Sequence, residues 1–204
     1  MDTEMRTALE MPRVERLEPV HTKGLQAVFG VLRLLMGWTF LWAFIDKTWA
    51  LGFATGRLED GTIDKAAGWI EGASPTAGVF AYALNAGPFQ GFYEGIGNVQ
   101  MTAQGPTADP AAWVDWVYML AMLLIGLGLI TGVMTRLAAV GGIVWMAIFY
   151  TATAIWPEHN PFLDDHIVYA VVLAGLILAN AGRYVGLGKV WQEVGFVKDR
   201  RWLY

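Results

Sequence analysis

Four apolar runs, each near the length that crosses a bilayer, constrain this chain more than any other feature. They fall roughly at Leu25–Trp49, Trp113–Val133, Leu137–Trp156 and Asp165–Val185. About 20 residues at 1.5 Å each traverse the hydrocarbon layer as a helix. A backbone in lipid must satisfy its own hydrogen bonds, so helices are the expected form. The remaining residues offer too little polar surface to hide such runs, since the chain is 55% hydrophobic and only 16% charged. The expected fold is therefore all-α and integral to a membrane, a four-transmembrane-helix up-down bundle with lipid as its main solvent. Residues 1–24 read as a cytoplasmic tail, 25–186 as the membrane domain with an outer loop at 50–112, and 187–204 as a second cytoplasmic tail.

Charge sets the expected orientation. The first tail, Arg136 and the C-terminal segment carry four, one and five Lys or Arg residues, ten in all, against Lys47, Arg57 and Lys65 on the other side. The positive-inside rule then puts both termini in the cytoplasm of a multi-pass cell-membrane protein. The charged tail up to Lys23 and the lack of a small-residue cleavage site argue that the first run is retained as a helix and not removed as a signal peptide. A chain without cysteine has no disulfide, thiolate metal site, iron–sulfur cluster or thioether-linked haem. A net charge of -4, with basic residues clustered beside acidic ones, gives no stripe for a nucleic acid.

The long first loop contains two helix starts, Ser74-Pro75 and Gly87-Pro88, each with Pro at the first helical position. The helices that follow are too short to cross, so they are expected to be interfacial or re-entrant. Thr102–Pro110 reads as plain loop. Small residues recur at helix-contact spacing, as at Gly30 and Gly37, Gly128 and Gly132, and Ala138 and Gly142, and are read as packing positions.

In an up-down bundle, one mouth collects Asp46, Lys47, Asp115, Glu158, His159, Asp164, Asp165, His166 and Tyr169. Along the fourth run, His166, Tyr169, Leu173, Leu176, Asn180 and Arg183 share one helix face. Such a stripe suits either a quinone head group with a proton relay, or ordinary interfacial and interhelical contacts. The Glu158–His166 stretch matches no metal spacing, so no metal is expected, and Asp164 or Asp165 suits an N-cap. Asp46 and Lys47 point about 100° apart, so each needs another partner, His166 being one candidate for Asp46. Arg33 stands apart, about 12 Å into the first run. A charge there costs about 2.5 to 3.5 kcal/mol. Its role is open: Asn180, backbone carbonyls near Gly132 and Thr135, or a lipid phosphate lie at its depth.

The segments LRLLMGWTFLWAFIDKTW (32–49), GFATG (52–56), SPTAG (74–78), NPFLDDHIVYAVVL (160–173) and AGRYVGLGKVW (181–191) resemble the DoxX/DoxD family of bacterial and archaeal membrane proteins. The resemblance implies a four-helix bundle and, for DoxD-like members, the large subunit of a thiosulfate:quinone oxidoreductase, an enzyme of the respiratory chain. Two readings follow. In the first, Lys47 and Arg57 attract a small sulfur anion, Asp46, Asp165 and His166 form the catalytic proton-handling group, Tyr169 contacts quinone as substrate, and no tightly bound cofactor is needed. His21, His159 and His166 do not oppose one another as haem ligands would, so a second protein subunit is expected to supply part of the site. In the second, the chain is a non-catalytic accessory subunit of a respiratory or redox complex.

Overall fold

The computed structural model describes residues 22–84 and 87–204. The expected first tail, with His21, lies almost wholly outside them. The described chain is mostly helical, and three of its helices are long and apolar enough to cross a membrane. These are α1 (Lys23–Trp49), α3 (Ala112–Thr131), and α4 (Thr135–Phe149), which runs on through a π turn to Ala154. Between α1 and α3 come two 3₁₀ turns at Lys65–Ala67 and Trp69–Glu71, a π turn at Val79–Ala83, and α2 (Gln90–Gly97).

The stretch expected to be plain loop holds a small hairpin. Strands β1 (Gln100–Thr102) and β2 (Gly105–Thr107) pair antiparallel, with Thr102 opposite Gly105. Gly105, at φ +112°, allows the tight reversal. The turn before the last apolar run follows the sequence more closely. Asn160 Oδ1 accepts from the Phe162 and Leu163 amides, and Asp164 caps α5 (Asp165–Leu178) by accepting from the Ile167 amide at 3.2 Å.

The fourth run is shorter as a helix than the sequence predicts. Helix α5 has 14 residues, about 21 Å, and Asn180 then takes a left-handed conformation at φ 50°. A 3₁₀ turn at Ala181–Arg183 follows. A side chain at Gly182 would meet the Thr135 hydroxyl at 2.6 Å. Off the helix axis, the chain thus passes close against the start of α4, where glycine leaves room. His166, Tyr169, Leu173 and Leu176 therefore share a helix face, whereas Asn180 and Arg183 lie beyond it. The last residues form α6 (Gly188–Glu193) and α7 (Gly195–Lys198), folded back on the bundle end through buried Gln192, Val197 and Leu203.

Helix α1 packs chiefly on α3, and α5 on α4. The core is continuous: Met36 and Phe40 from α1, Met119, Met122 and Leu129 from α3, Ala139 and Met146 from α4, and Leu173 and Leu176 from α5. Glycine sets the α1–α3 spacing. A Cβ at Gly37 would meet Ile130 Cγ1 at 2.8 Å, and one at Gly126 would meet the Leu41 backbone at 2.7 Å. The opposite faces of α1, α3, α4 and α5 expose Val31, Leu35, Leu124, Val144 and Val171, as lipid contact requires.

Candidate functional site

Each end of the bundle has its own polar architecture. At the end bearing the α3–α4 turn, Arg33 is fully buried. Its Nη1 donates to the Leu129 carbonyl at 2.7 Å and its Nη2 to the Val185 carbonyl at 2.5 Å. The first acceptor belongs to the last turn of α3, where carbonyls lack helical partners and the macrodipole is negative. The charge is thus held by backbone oxygens close to the Gly132 position named as a candidate, and by no carboxylate. Nε has no partner. A Cβ at Gly132 (φ +82°) would lie 2.6 Å from Nη1, so glycine is required there on both counts.

At the other end, each acidic side chain buried near the loop holds loop backbone. Asp46 is buried and accepts from the Phe53 and Ala54 amides at 3.3 and 3.0 Å. Asp115, also buried, accepts on Oδ1 from the Ser74 hydroxyl at 2.9 Å, the Thr76 hydroxyl at 2.6 Å and the Thr76 amide at 3.1 Å. Two loop cations cap carbonyls: Lys65 donates to Ala50 O at 2.8 Å, past the end of α1, and Arg57 Nε to Gly52 O at 2.5 Å. Between them, the Thr62 hydroxyl and amide both donate to Asp60 and hold its carboxyl below the usual carboxylate range.

The residues expected to act together are dispersed among these duties. Lys47 is half-buried and makes no hydrogen bond or ion pair with another described residue. Asp165 is exposed in the first turn of α5. His166 Nδ1 lies 2.5 Å from Asp164 Oδ2, with its ring against Phe149, and not in contact with Asp46. Tyr169 packs on the core. His159 and Glu158 are both exposed and 4.0 Å apart. Asp46, Asp165 and His166 do not form one contact group.

What the sequence reading missed lies between α3, α4 and the short loop helices. There a cavity of about 380 Å³ is walled by Phe80, Phe92, Tyr93, Trp113, Tyr118, Trp145 and Phe149, with Pro75 and Thr76 at one side. Tyr118 is only 5% exposed and stacks edge-on against Trp145 and Phe149. Its hydroxyl makes no hydrogen bond with a described residue, and the Asp46 carboxylate lies near enough to act on it electrostatically. On another wall the Tyr93 hydroxyl is tied to the Thr151 hydroxyl at 2.7 Å. Asp115 fixes the remaining wall through Thr76. Since Phe92, Trp113 and Val117 are exposed on their outer sides, the rim faces what surrounds the helices. A groove of about 340 Å³ between α4 and α5 touches His166 but is mostly aliphatic. Tyr169, the expected quinone contact, lines neither.

The cavity had a partial signal in the sequence. Trp145 and Phe149 are four residues apart, as are Val114 and Tyr118, so each pair shares a helix face. Trp145 also lies near the middle of its apolar run, too deep for an interfacial aromatic belt. No family model, no curated protein and no solved structure matches the chain.

Proposed function

We propose that the protein is a multi-pass membrane subunit that binds the ring of a quinone in the aromatic cavity. One observation carries this reading: seven aromatic side chains, the buried Tyr118 among them, wall a cavity of about 380 Å³. Aromatic walls favour a flat ring through offset and edge-on contacts. A phenol O–H supplies the directed bond that a ring carbonyl accepts, the usual composition of a small-molecule site. The exposed rim at Phe92 and Val117 suits entry from lipid.

In this reading the fourth crossing consists of α5 together with the 3₁₀ turn behind it. Both termini face the cytoplasm of a cell membrane, as the basic residues direct. The resemblance to the DoxX/DoxD family adds a donor: two thiosulfate ions join through a new S–S bond and release two electrons, which with two protons reduce quinone to quinol. Arg57 is exposed at the same end as Lys47, which suits attraction of a small sulfur anion to a partner-completed site. Asp165 and His166 are accessible for proton exchange, whereas Asp46 holds loop amides. Purified protein with its partner subunit should reduce a short-chain quinone when thiosulfate is added. Tyr118→Phe should raise the KM for quinone. Unchanged kinetics in that variant would remove the cavity from the reaction, and unchanged turnover in His166→Ala would remove the histidine.

A second reading has its own support. Asp46, Asp115, Arg57 and Lys65 all hold loop backbone, an arrangement that suits a non-catalytic accessory subunit presenting a rigid outer cap to a respiratory complex. Native purification distinguishes the two: co-purifying cytochrome subunits without thiosulfate-dependent quinone reduction favour the accessory role.

A further inference from the structure

The segment after α5 is more than a tail. It begins against the ends of the long helices: the Leu187 amide donates to Thr131 O at 2.8 Å, and Val185 O receives the Arg33 guanidinium. Its far end is also docked. Trp191 Nε1 donates to Leu203 O at 2.6 Å, the Arg136 amide donates to Tyr204 O, and the Arg136 guanidinium lies over the Tyr204 ring. The segment is thus fixed at the level where α3 and α5 end, beside the surface any bilayer around them would present.

What it leaves uncovered has a distinct chemistry. Val190, Phe196 and Trp202 are 66%, 56% and 58% exposed. Interleaved with them, Lys189, Lys198 and Arg201 are exposed and form no ion pair with a described carboxylate. Between Arg183 and Arg201 there are five cations and only two acids, Glu193 and Asp199. Water alone does not favour such side chains, and a docked segment has no need of them for folding. Apolar groups flanked by unpaired Lys and Arg at a membrane boundary are the composition of a segment that enters the interface of an anionic leaflet.

We propose that residues 183–202 form a docking surface for anionic phospholipid, with Phe196 and Trp202 entering the headgroup layer and Lys189, Lys198 and Arg201 pairing with lipid phosphates. This rests on the chain being membrane-embedded and not on quinone binding. The test places the full chain in nanodiscs of phosphatidylcholine with phosphatidylglycerol and counts retained lipids by native mass spectrometry. Preferential retention of phosphatidylglycerol that fades with added salt is expected. The Lys198→Gln, Arg201→Gln double variant should lose about fivefold in that preference per cation removed, the equivalent of about 1 kcal/mol each. Lys189→Arg with Lys198→Arg should retain it. Equal retention of both lipids by the wild type, or an unchanged preference in the glutamine variant, would overturn the proposal. So would a preference that does not respond to salt. Failure to enter nanodiscs at all would instead reject membrane embedding.

Discussion

At the scale of single residues, the closed end of the bundle depends on where a buried charge finds its partners. Arg33 satisfies two carbonyls that belong to different segments, one ending α3 and one following α5. Removing it leaves both oxygens without a donor in an apolar surround, which costs about 1 to 3 kcal/mol for each group. Arg33→Met should therefore lower stability in detergent by about 3 kcal/mol, read as a fall in the thermal unfolding midpoint. Arg33→Lys should recover only part, because one ammonium cannot reproduce the planar fork that reaches both oxygens. Gly132→Ala should be destabilising on two counts, a left-handed backbone and a clash with Nη1. An unchanged midpoint in Arg33→Met would mean that these contacts are idle. The sequence made Arg33 conspicuous and even pointed to carbonyls near Gly132. It gave no sign that Val185 would complete the set, since that contact joins residues 152 positions apart.

At the scale of elements, the helices were legible, the short ones after Ser74-Pro75 and Gly87-Pro88 included, and the contacts that hold the loop were not. The ends of α3 and α4 fall within a few residues of the apolar runs because hydropathy and helix length report the same physical constraint. Helix α5 ends at Leu178, seven residues before the end of its apolar run, and the chain then passes close to the start of α4 at Gly182, a tertiary contact that hydropathy does not report. The loop is organised by carboxylates borne on helices and donors borne on turns, as with Asp115 and Ser74 and Thr76. Such pairs are long-range and leave no periodic signal. Asp115→Ala should free the residues from Ser74 to Phe80, raising their amide exchange while the exchange of α4 stays unchanged. It should also weaken occupancy of the cavity, because Thr76 and Phe80 form part of its wall. Protection of residues 74–80 equal to wild type would show that the hydrogen bonds to Asp115 do not hold this wall. Lys65→Met should cost no more than about 1 kcal/mol, as expected for an exposed cation at a helix C-terminus.

At the scale of the whole molecule, the two ends of the bundle divide the work. One end is closed by Arg33, the glycine-lined turn and the docked C-terminal segment. The other carries a rigid polar loop over an aromatic cavity. The sequence reading placed the chemistry at this second end but built it from Asp46, Asp165, His166 and Tyr169; Asp46 holds loop amides, and none of the four lines the aromatic cavity. Convergence of seven aromatic side chains from two loop helices and two long helices depends on tertiary packing, so spacing along one helix reveals only a fragment of it. The central claim is that this cavity takes a quinone ring. Calorimetric titration of a short-chain quinone into the detergent-solubilised protein tests it most directly, with Val117→Trp as the variant that obstructs the exposed rim. One saturable site is expected in the wild type, with affinity at least about tenfold weaker in the variant, or about 1.4 kcal/mol. Equal affinity in both proteins, or no saturable binding in the wild type, would contradict it.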